Sequence, residues 1–168
     1  MLETKPWFTQ EAIKFLENLI QINPNIKVLE FGSGNSTIWL AKKGVNLISI
    51  EHDKTWYETV KKSLKDNNLN IDLRFIGGQY YTVCSEFEDN YFDLIIVDGQ
   101  NRVKCIEECY KKLKPGGVLL LDDAERERYL PVYELLKEWK FFKTVEYNLD
   151  DKEYPEKQTN WWIKPLIS

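Results

Sequence analysis

Apolar positions along the chain alternate between helical and strand-like spacing. After Pro6-Trp7-Phe8, Thr9 can cap a helix whose Ile13, Leu16 and Ile20 share one face, widened by Ala12 and Leu19; Asn23-Pro24-Asn25 ends it. A short apolar run over residues 27–31 follows, then a glycine turn, then a helix over residues 36–43 stopped by Gly44. Residues 46–51 predict a second strand, and Asp53 can cap a helix that sets Trp56, Val60 and Leu64 on a common face. A third run, residues 71–76, ends at Gly77-Gly78. The most apolar run, residues 92–97, leads through Asp98-Gly99 into a helix carrying Cys105, which Pro115-Gly116-Gly117 is expected to terminate. Residues 118–121 make a fifth strand ending in Asp122-Asp123. Pro131 suits the first turn of a helix striped by Val132, Leu135, Leu136 and Trp139. Residues 141–147 and 159–163 read as two final strands joined by a polar, acidic loop.

Five strands alternating with helices need crossover connections, hence a parallel sheet covered on both faces: an α/β three-layer sandwich. The last two strands have no helix between them and should pair antiparallel, as a hairpin at one edge. With no internal repeat, low-complexity tract or linker, residues 1–168 are expected to form a single domain, with a short helical segment over about residues 1–25.

Charge narrows the partners. A net charge of −4 provides no broad cationic surface, so nucleic acid is not the expected partner. No stretch approaches the roughly 20 apolar residues that span a bilayer, and the start of the chain carries Glu3, Lys5 and Gln10, so a cytoplasmic protein without a membrane segment is expected. Cys84, Cys105 and Cys109 show no Cys-x-x-Cys pairing and fit neither a disulfide framework nor a zinc site. Cys105 and Cys109 lie at the edge of the apolar face of Val103, Ile106, Tyr110 and Leu113, as packing residues do.

In open α/β sheets ligands bind beyond the carboxyl ends of the strands, where the strand order reverses. Four candidate sites stand at such ends. In Glu30-Phe31-Gly32-Ser33-Gly34-Asn35-Ser36-Thr37 the glycines allow a tight turn and a close ligand approach, but a dinucleotide fingerprint would have a third glycine at Thr37 and no need of Glu30. Glu51, nineteen residues after Gly32, can accept both hydroxyls of a ribose, a spacing that dinucleotide enzymes share. His52, the one histidine, stands beside it as a pocket residue in preference to a base. Gly77-Gly78-Gln79 offers bare backbone and an amide, and Asp98-Gly99 brings a carboxylate to the pocket mouth.

Taken together, Val28-Leu29-Glu30-Phe31-Gly32-Ser33-Gly34, Ile50-Glu51, Val97-Asp98-Gly99 and Leu113-Lys114-Pro115-Gly116-Gly117 resemble the class I S-adenosylmethionine-dependent methyltransferases. The resemblance covers almost the whole chain and implies a Rossmann-like, mostly parallel seven-stranded sheet with an antiparallel C-terminal strand. It implies S-adenosyl-L-methionine as cofactor, which carries a sulfonium and an ammonium but no pyrophosphate, so that acids suit its site. By position it places Glu30, Gly32 and Gly34, within the turn that also holds Phe31, Ser33, Asn35 and Ser36, around the methionine part. Glu51 with His52 falls at the ribose, Gly78 and Gln79 at the adenine, and Asp98 at the methionine end as the one catalytic candidate.

The acceptor is less marked. Asp98 is followed by Gly99-Gln100-Asn101 and not by the Pro-Pro-aromatic sequence of the methyltransferases acting on base amino groups. Asp98 with Asp122-Asp123 resembles the metal-binding acids of the catechol and caffeoyl-coenzyme A O-methyltransferases, three acids that would suit a hard divalent cation. Those families have a lysine three residues after the first acid, where this chain has Asn101, with Arg102 and Lys104 nearby; aminopropyltransferases would need a second acid at the same place. A divalent metal is therefore not favoured, and capping of the loop before Pro131 is preferred for Asp122-Asp123. The expected function is methyl transfer to oxygen or nitrogen of a small-molecule or peptide-like acceptor, walled by Trp7, Phe8, residues 100–104, residues 124–129 and the hairpin. The alternatives are a non-catalytic cofactor-binding module acting through a partner and a nicotinamide-dependent oxidoreductase. Nothing in the sequence sets the oligomeric state.

Overall fold

A computed structural model describes residues 2, 5–148, 150, 152, 153 and 155–166; Glu3 lies outside the described residues. The strands are β1 (Lys27–Phe31), β2 (Asn46–Glu51), β3 (Asp72–Phe75), β4 (Phe92–Val97), β5 (Leu113–Asp122), β6 (Lys140–Phe142), β7 (Val145–Tyr147) and β8 (Glu156–Ile163). The helices are α1 (Gln10–Ile22), α2 (Asn35–Lys42), α3 (Lys54–Asp66), α4 (Arg102–Cys109) and α5 (Leu130–Leu135). The sheet runs β3-β2-β1-β4-β5-β8-β6, with β7 also paired to β8. The first five strands are parallel; β8 is antiparallel and lies between β5 and the edge. This is the α/β sandwich that the alternation of elements predicts, with the Rossmann-like arrangement that the resemblance implies.

The unbroken apolar runs are explained by two buried faces. On β4, Leu94 and Ile96 pack with α1, Trp39 and Leu40, whereas Ile95 and Val97 pack on the opposite face with Tyr80, Cys105, Ile106 and Val132. All four are fully buried, each contributing about 1.5–3 kcal/mol. Caps set the helix starts: Thr9 Oγ1 accepts from Ala12 N, and Asp53 Oδ1 accepts from Trp56 N at 2.7 Å. All three cysteines are buried and unbridged, and burial pushes the Cys105 thiol up to about 12.

The structure corrects three expectations. Pro115-Gly116-Gly117 does not end α4, which stops at Cys109 and passes through a short turn, Tyr110–Lys112. The β5 ladder already opens at Leu113 opposite Phe92, and an irregularity before Leu94 and Val118 absorbs the proline, which has no N–H to give. The sixth strand is broken between β6 and β7. There Thr144 is buried, its N donates to Asn160 Oδ1 at 3.0 Å and its hydroxyl to Thr159 O at 2.6 Å, so side-chain bonds replace the ladder and the expected seven strands become eight. Helix α5 is shorter than its stripe: Val132 and Leu136 are buried, but Leu135 is exposed.

Candidate functional site

The strand order reverses between β1 and β4, and the loops leaving these strands meet face to face. Gly32 N donates to Ile50 O and Asp98 N to Phe31 O, both at 2.9 Å, so the ladders continue into the loops. Gly32 has φ +92°, and a Cβ there would stand 2.5 Å from Gly99 N. A Cβ on Gly99 would in turn stand 2.5 Å from Tyr80 Oη, which donates to Gln100 O. Only a glycine pair permits this approach.

Above it opens a cavity of about 520 Å³ whose wall includes Gly32, Ser33, Gly34, Asn35, Ser36, Glu51, His52 and Asp98. These are eight of the positions expected to hold a cofactor. The others lie elsewhere. Phe31 is core, edge-on to Tyr80, and Gly78 and Gln79 are exposed beyond β3, outside this wall. Glu30 is fully buried beneath the turn, where its carboxylate accepts from Ser36 Oγ and Ser49 Oγ at 2.5 Å and from Thr37 Oγ1 at 2.6 Å. Burial pushes the Glu30 carboxyl up, against the lowering effect of these hydroxyls. Thr37, which replaces the third glycine of a dinucleotide fingerprint, is thus a partner of Glu30; its Oγ1 also accepts from Gly34 N at 2.8 Å. Glu30 shapes the turn from below.

Glu51 is held by backbone. Oε2 accepts from Ser33 N at 2.9 Å, and Oε1 from His52 N and Asp53 N at 2.8 Å. His52 Nδ1 stands 3.0 Å from Oε1 but is out of line for a hydrogen bond, and its ring packs against Tyr80. Trp56 turns out of the α3 core stripe, 39 % exposed, into the cavity wall, where its Nε1 donates to Ser33 O at 2.6 Å. Asn35 Oδ1 is a buried acceptor without a partner in the same wall.

At the other end Asp98, Asp122 and Asp123 converge, with carboxylate oxygens within 4.8 Å of one another. Arg102, only 8 % exposed, binds them together. Its Nε donates to Gly99 O at 2.7 Å, Nη1 to Asp122 O, and Nη2 to Asp98 O at 3.1 Å and Asp123 Oδ2 at 3.2 Å; Asp98 Oδ1 stands 3.4 Å from Nη2. Lys157 Nζ bridges Asp122 Oδ2 at 3.0 Å and Asp123 Oδ1 at 3.3 Å, and Thr159 Oγ1 donates to Asp122 Oδ1 at 2.6 Å. Burial, then the neighbouring acids, pushes the Asp98 carboxyl well up. Burial also raises Asp122, against Lys157. At Asp123 burial is outweighed by Arg102, Lys157 and Arg126, which hold it below its ordinary value.

The three acids are an oxygen-only donor set of the kind hard cations take. Arg102, Lys157 and Arg126 already balance them, however, and a divalent ion would have to displace these cations. The residues present do not fit a resident metal, and Asp122-Asp123 do more than cap a loop.

Several wall residues escaped the sequence reading. Arg102 was visible only as a basic residue of the loop, although its i,i+4 spacing from Asp98 is a usable signal. Lys157 lies 35 residues from Asp122 and has no local signature. Trp56 follows the helical period and so reads as core. Of the two aromatics expected over the pocket, Trp7 lines it and Phe8 is buried against α1.

A family model described as a methyltransferase domain matches residues 29–124, from within β1 past the end of β5. The chain belongs to this family. A phosphoethanolamine N-methyltransferase of Plasmodium falciparum is 31 % identical over 132 residues, covering 71 % of this chain and 48 % of that protein. A protein-L-isoaspartate O-methyltransferase of Cytophaga hutchinsonii is 28 % identical over 112 residues, covering 66 % of this chain and 48 % of its own. The methyltransferase chain thus spans about half the length of the curated relatives it matches. Among solved structures, an O-methyltransferase from Bacillus cereus in complex with SAH superposes with a TM-score of 0.73 at 22 % identity, over 93 % of this chain and 82 % of that one. The methyltransferase domain shares the fold of class I S-adenosylmethionine-dependent enzymes. No described helix is long and apolar enough to cross a membrane.

Proposed function

We propose that residues 1–168 form one S-adenosylmethionine-dependent methyltransferase domain acting on oxygen or nitrogen of a small-molecule or peptide-like acceptor. The observation that carries this reading is the acid-lined cavity at the reversal of strand order in a chain of the methyltransferase family. Glu51, Asp53, Asp98, Asp122 and Asp123 outnumber Arg102 and Lys157 in its wall, which suits a cofactor bearing a sulfonium and an ammonium. The partnerless Asn35 Oδ1 and the bare Gly34, whose Cβ would meet nothing nearer than Trp56 Nε1 at 3.9 Å, leave an acceptor and open space for it.

Glu51 already accepts three backbone hydrogen bonds out of about four that a carboxylate can take. It therefore binds one ribose hydroxyl, through Oε2, and not two. When bound, S-adenosylmethionine supplies a methyl group open to direct displacement from sulfur. The chain has to hold the acceptor in line with it and keep water out. Asp98, at the pocket mouth with its carboxyl pushed up by burial, is a stronger base when ionised than an ordinary carboxylate and is suited to take the acceptor's proton on a carboxylate oxygen. Arg102 fixes the backbone of Asp98 and Gly99 and so acts as a positioning residue. A cytoplasmic location belongs to the same reading, supported by three buried, unbridged thiols.

The test is transfer of label from methyl-labelled S-adenosylmethionine to a panel of hydroxyl and amine acceptors, alongside calorimetric titration with S-adenosylhomocysteine. Saturable binding with transfer supports the reading. A folded chain that binds neither S-adenosylmethionine nor S-adenosylhomocysteine would falsify it.

A further inference from the structure

A second cavity, of about 640 Å³, adjoins the first and shares Gly99, Gln100 and Arg102 with it. Its charge is opposite. Arg102, Lys104, Arg126 and Arg128 line it, and among the described residues no aspartate or glutamate does. We infer that this outer cavity binds a phosphate group carried by the methyl acceptor, an inference that rests on the proposed cofactor reading of the inner cavity and names the acceptor's anionic end.

Three observations support a built anion site. Tyr129, 4 % exposed, lies beneath two of the cations, with its ring centroid 5.6 Å from the Arg102 guanidinium and 5.1 Å from that of Arg128. Both forks are thereby held in place before any ligand arrives. The first turn of α4 forms part of the wall, and Asn101 at its cap makes no side-chain bond, so the partial positive charge of the helix start is left uncapped at the cavity. Three of the cations are tied to acids outside this lining, Lys104 to Glu107 at 2.6 Å, Arg126 to Asp123 at 2.9 Å and Arg102 to Asp123 at 3.2 Å, which fixes their positions without placing an acid in it.

Four cations, three of them guanidinium groups, match a doubly charged phosphate monoester better than a single carboxylate. The volume exceeds what a bare anion fills, and the wall shared through Gly99, Gln100 and Arg102 sets the outer cavity directly beside the inner one.

The test is calorimetric titration of phenyl phosphate into the chain loaded with S-adenosylhomocysteine, with benzoate, benzyl alcohol and inorganic phosphate as comparison probes. Phenyl phosphate should bind, benzyl alcohol should not, and raising salt to about 0.5 M should weaken the binding. The double variant Lys104→Ala with Arg128→Ala should lose about tenfold or more in phenyl phosphate affinity while keeping S-adenosylhomocysteine affinity. Lys104→Arg with Arg128→Lys, which keeps the charge, should retain most of it. Both positions are on the surface, and an unchanged circular dichroism spectrum checks the fold. Absence of phenyl phosphate binding in a chain that does bind S-adenosylhomocysteine overturns the inference, as does benzoate binding equally well or indifference to the double variant. If inorganic phosphate binds as tightly as phenyl phosphate, the site takes the free anion and the acceptor assignment falls. Should S-adenosylhomocysteine fail while phenyl phosphate binds in a manner sensitive to the variants, the cofactor reading falls and the anion site stands.

Discussion

The two ends of the inner cavity are both acidic but are held in opposite ways. At the Gly32 end, Glu30 and Glu51 are satisfied by uncharged donors, three hydroxyls on one and three backbone N–H groups on the other. At the Asp98 end, three carboxylates are balanced by three cations, Arg102 and Arg126 from nearby turns and Lys157 from a distant strand. Neutral donors leave the first end without a compensating cation, and the compensated second end is structural as much as functional. The contrast predicts that substitutions at the two ends fail differently.

The largest effect is expected at Arg102. Arg102→Ala takes the buried guanidinium away from Asp98 and Asp123 and leaves three backbone carbonyls without their donor, and should cost about 3–5 kcal/mol in urea denaturation; Arg102→Lys should recover little, because one ammonium cannot serve the carbonyls of Gly99, Asp98 and Asp122 together. A loss below about 1 kcal/mol would show that the cluster is balanced by solvent instead. Next, Gly32→Ala should cost about 2–4 kcal/mol, since the new Cβ meets backbone in a left-handed conformation; a stable variant with normal cofactor affinity would refute the tight approach.

Glu51→Gln should act on binding more than on folding, weakening S-adenosylhomocysteine about tenfold or more in titration, whereas an unchanged affinity would remove Glu51 from the ribose. Magnesium should give no saturable binding in the intact chain in the range up to about 1 mM that a dedicated site reaches, and tight binding there would mean that Arg102 and Lys157 yield to a metal. The smallest effect concerns Glu30. Its folded pKa lies above the ordinary 4.5, so the stability tied to its protonated form is complete below that pH and is lost as pH rises through the folded value. Glu30→Gln cannot ionise. Wild-type stability relative to this variant should therefore fall as pH rises above 4.5, by at most about 1.4 kcal/mol per pH unit, in urea melts across that range; a flat difference would contradict the raised value.

How much of this was legible in the sequence follows the same division. The glycine turn, Glu51 and the caps at Thr9 and Asp53 depend on neighbours within a few residues or on a strand end, so spacing alone located them. The fold was readable for the same reason: apolar runs of strand length alternating with helical stripes leave few topologies. Glu30 was recognised as unusual, but its burial was not, because Ser49 comes from the neighbouring strand β2. Lys157 and the break at Thr144 were illegible because their partners are Asp122 and Thr159 with Asn160, contacts that only strand pairing creates. Trp56 was misplaced because helical period assigns a face without showing where the first turn points.

A crystal structure with S-adenosylhomocysteine bound would separate these possibilities in one experiment. The predicted result is a ligand in the cavity over Gly32 and Gly34, with one ribose hydroxyl on Glu51 Oε2, the methionine end near Asn35 and Asp98, and the Arg102 and Lys157 contacts intact. A ligand bound elsewhere, a ribose out of reach of Glu51, or a metal replacing the two cations would contradict it.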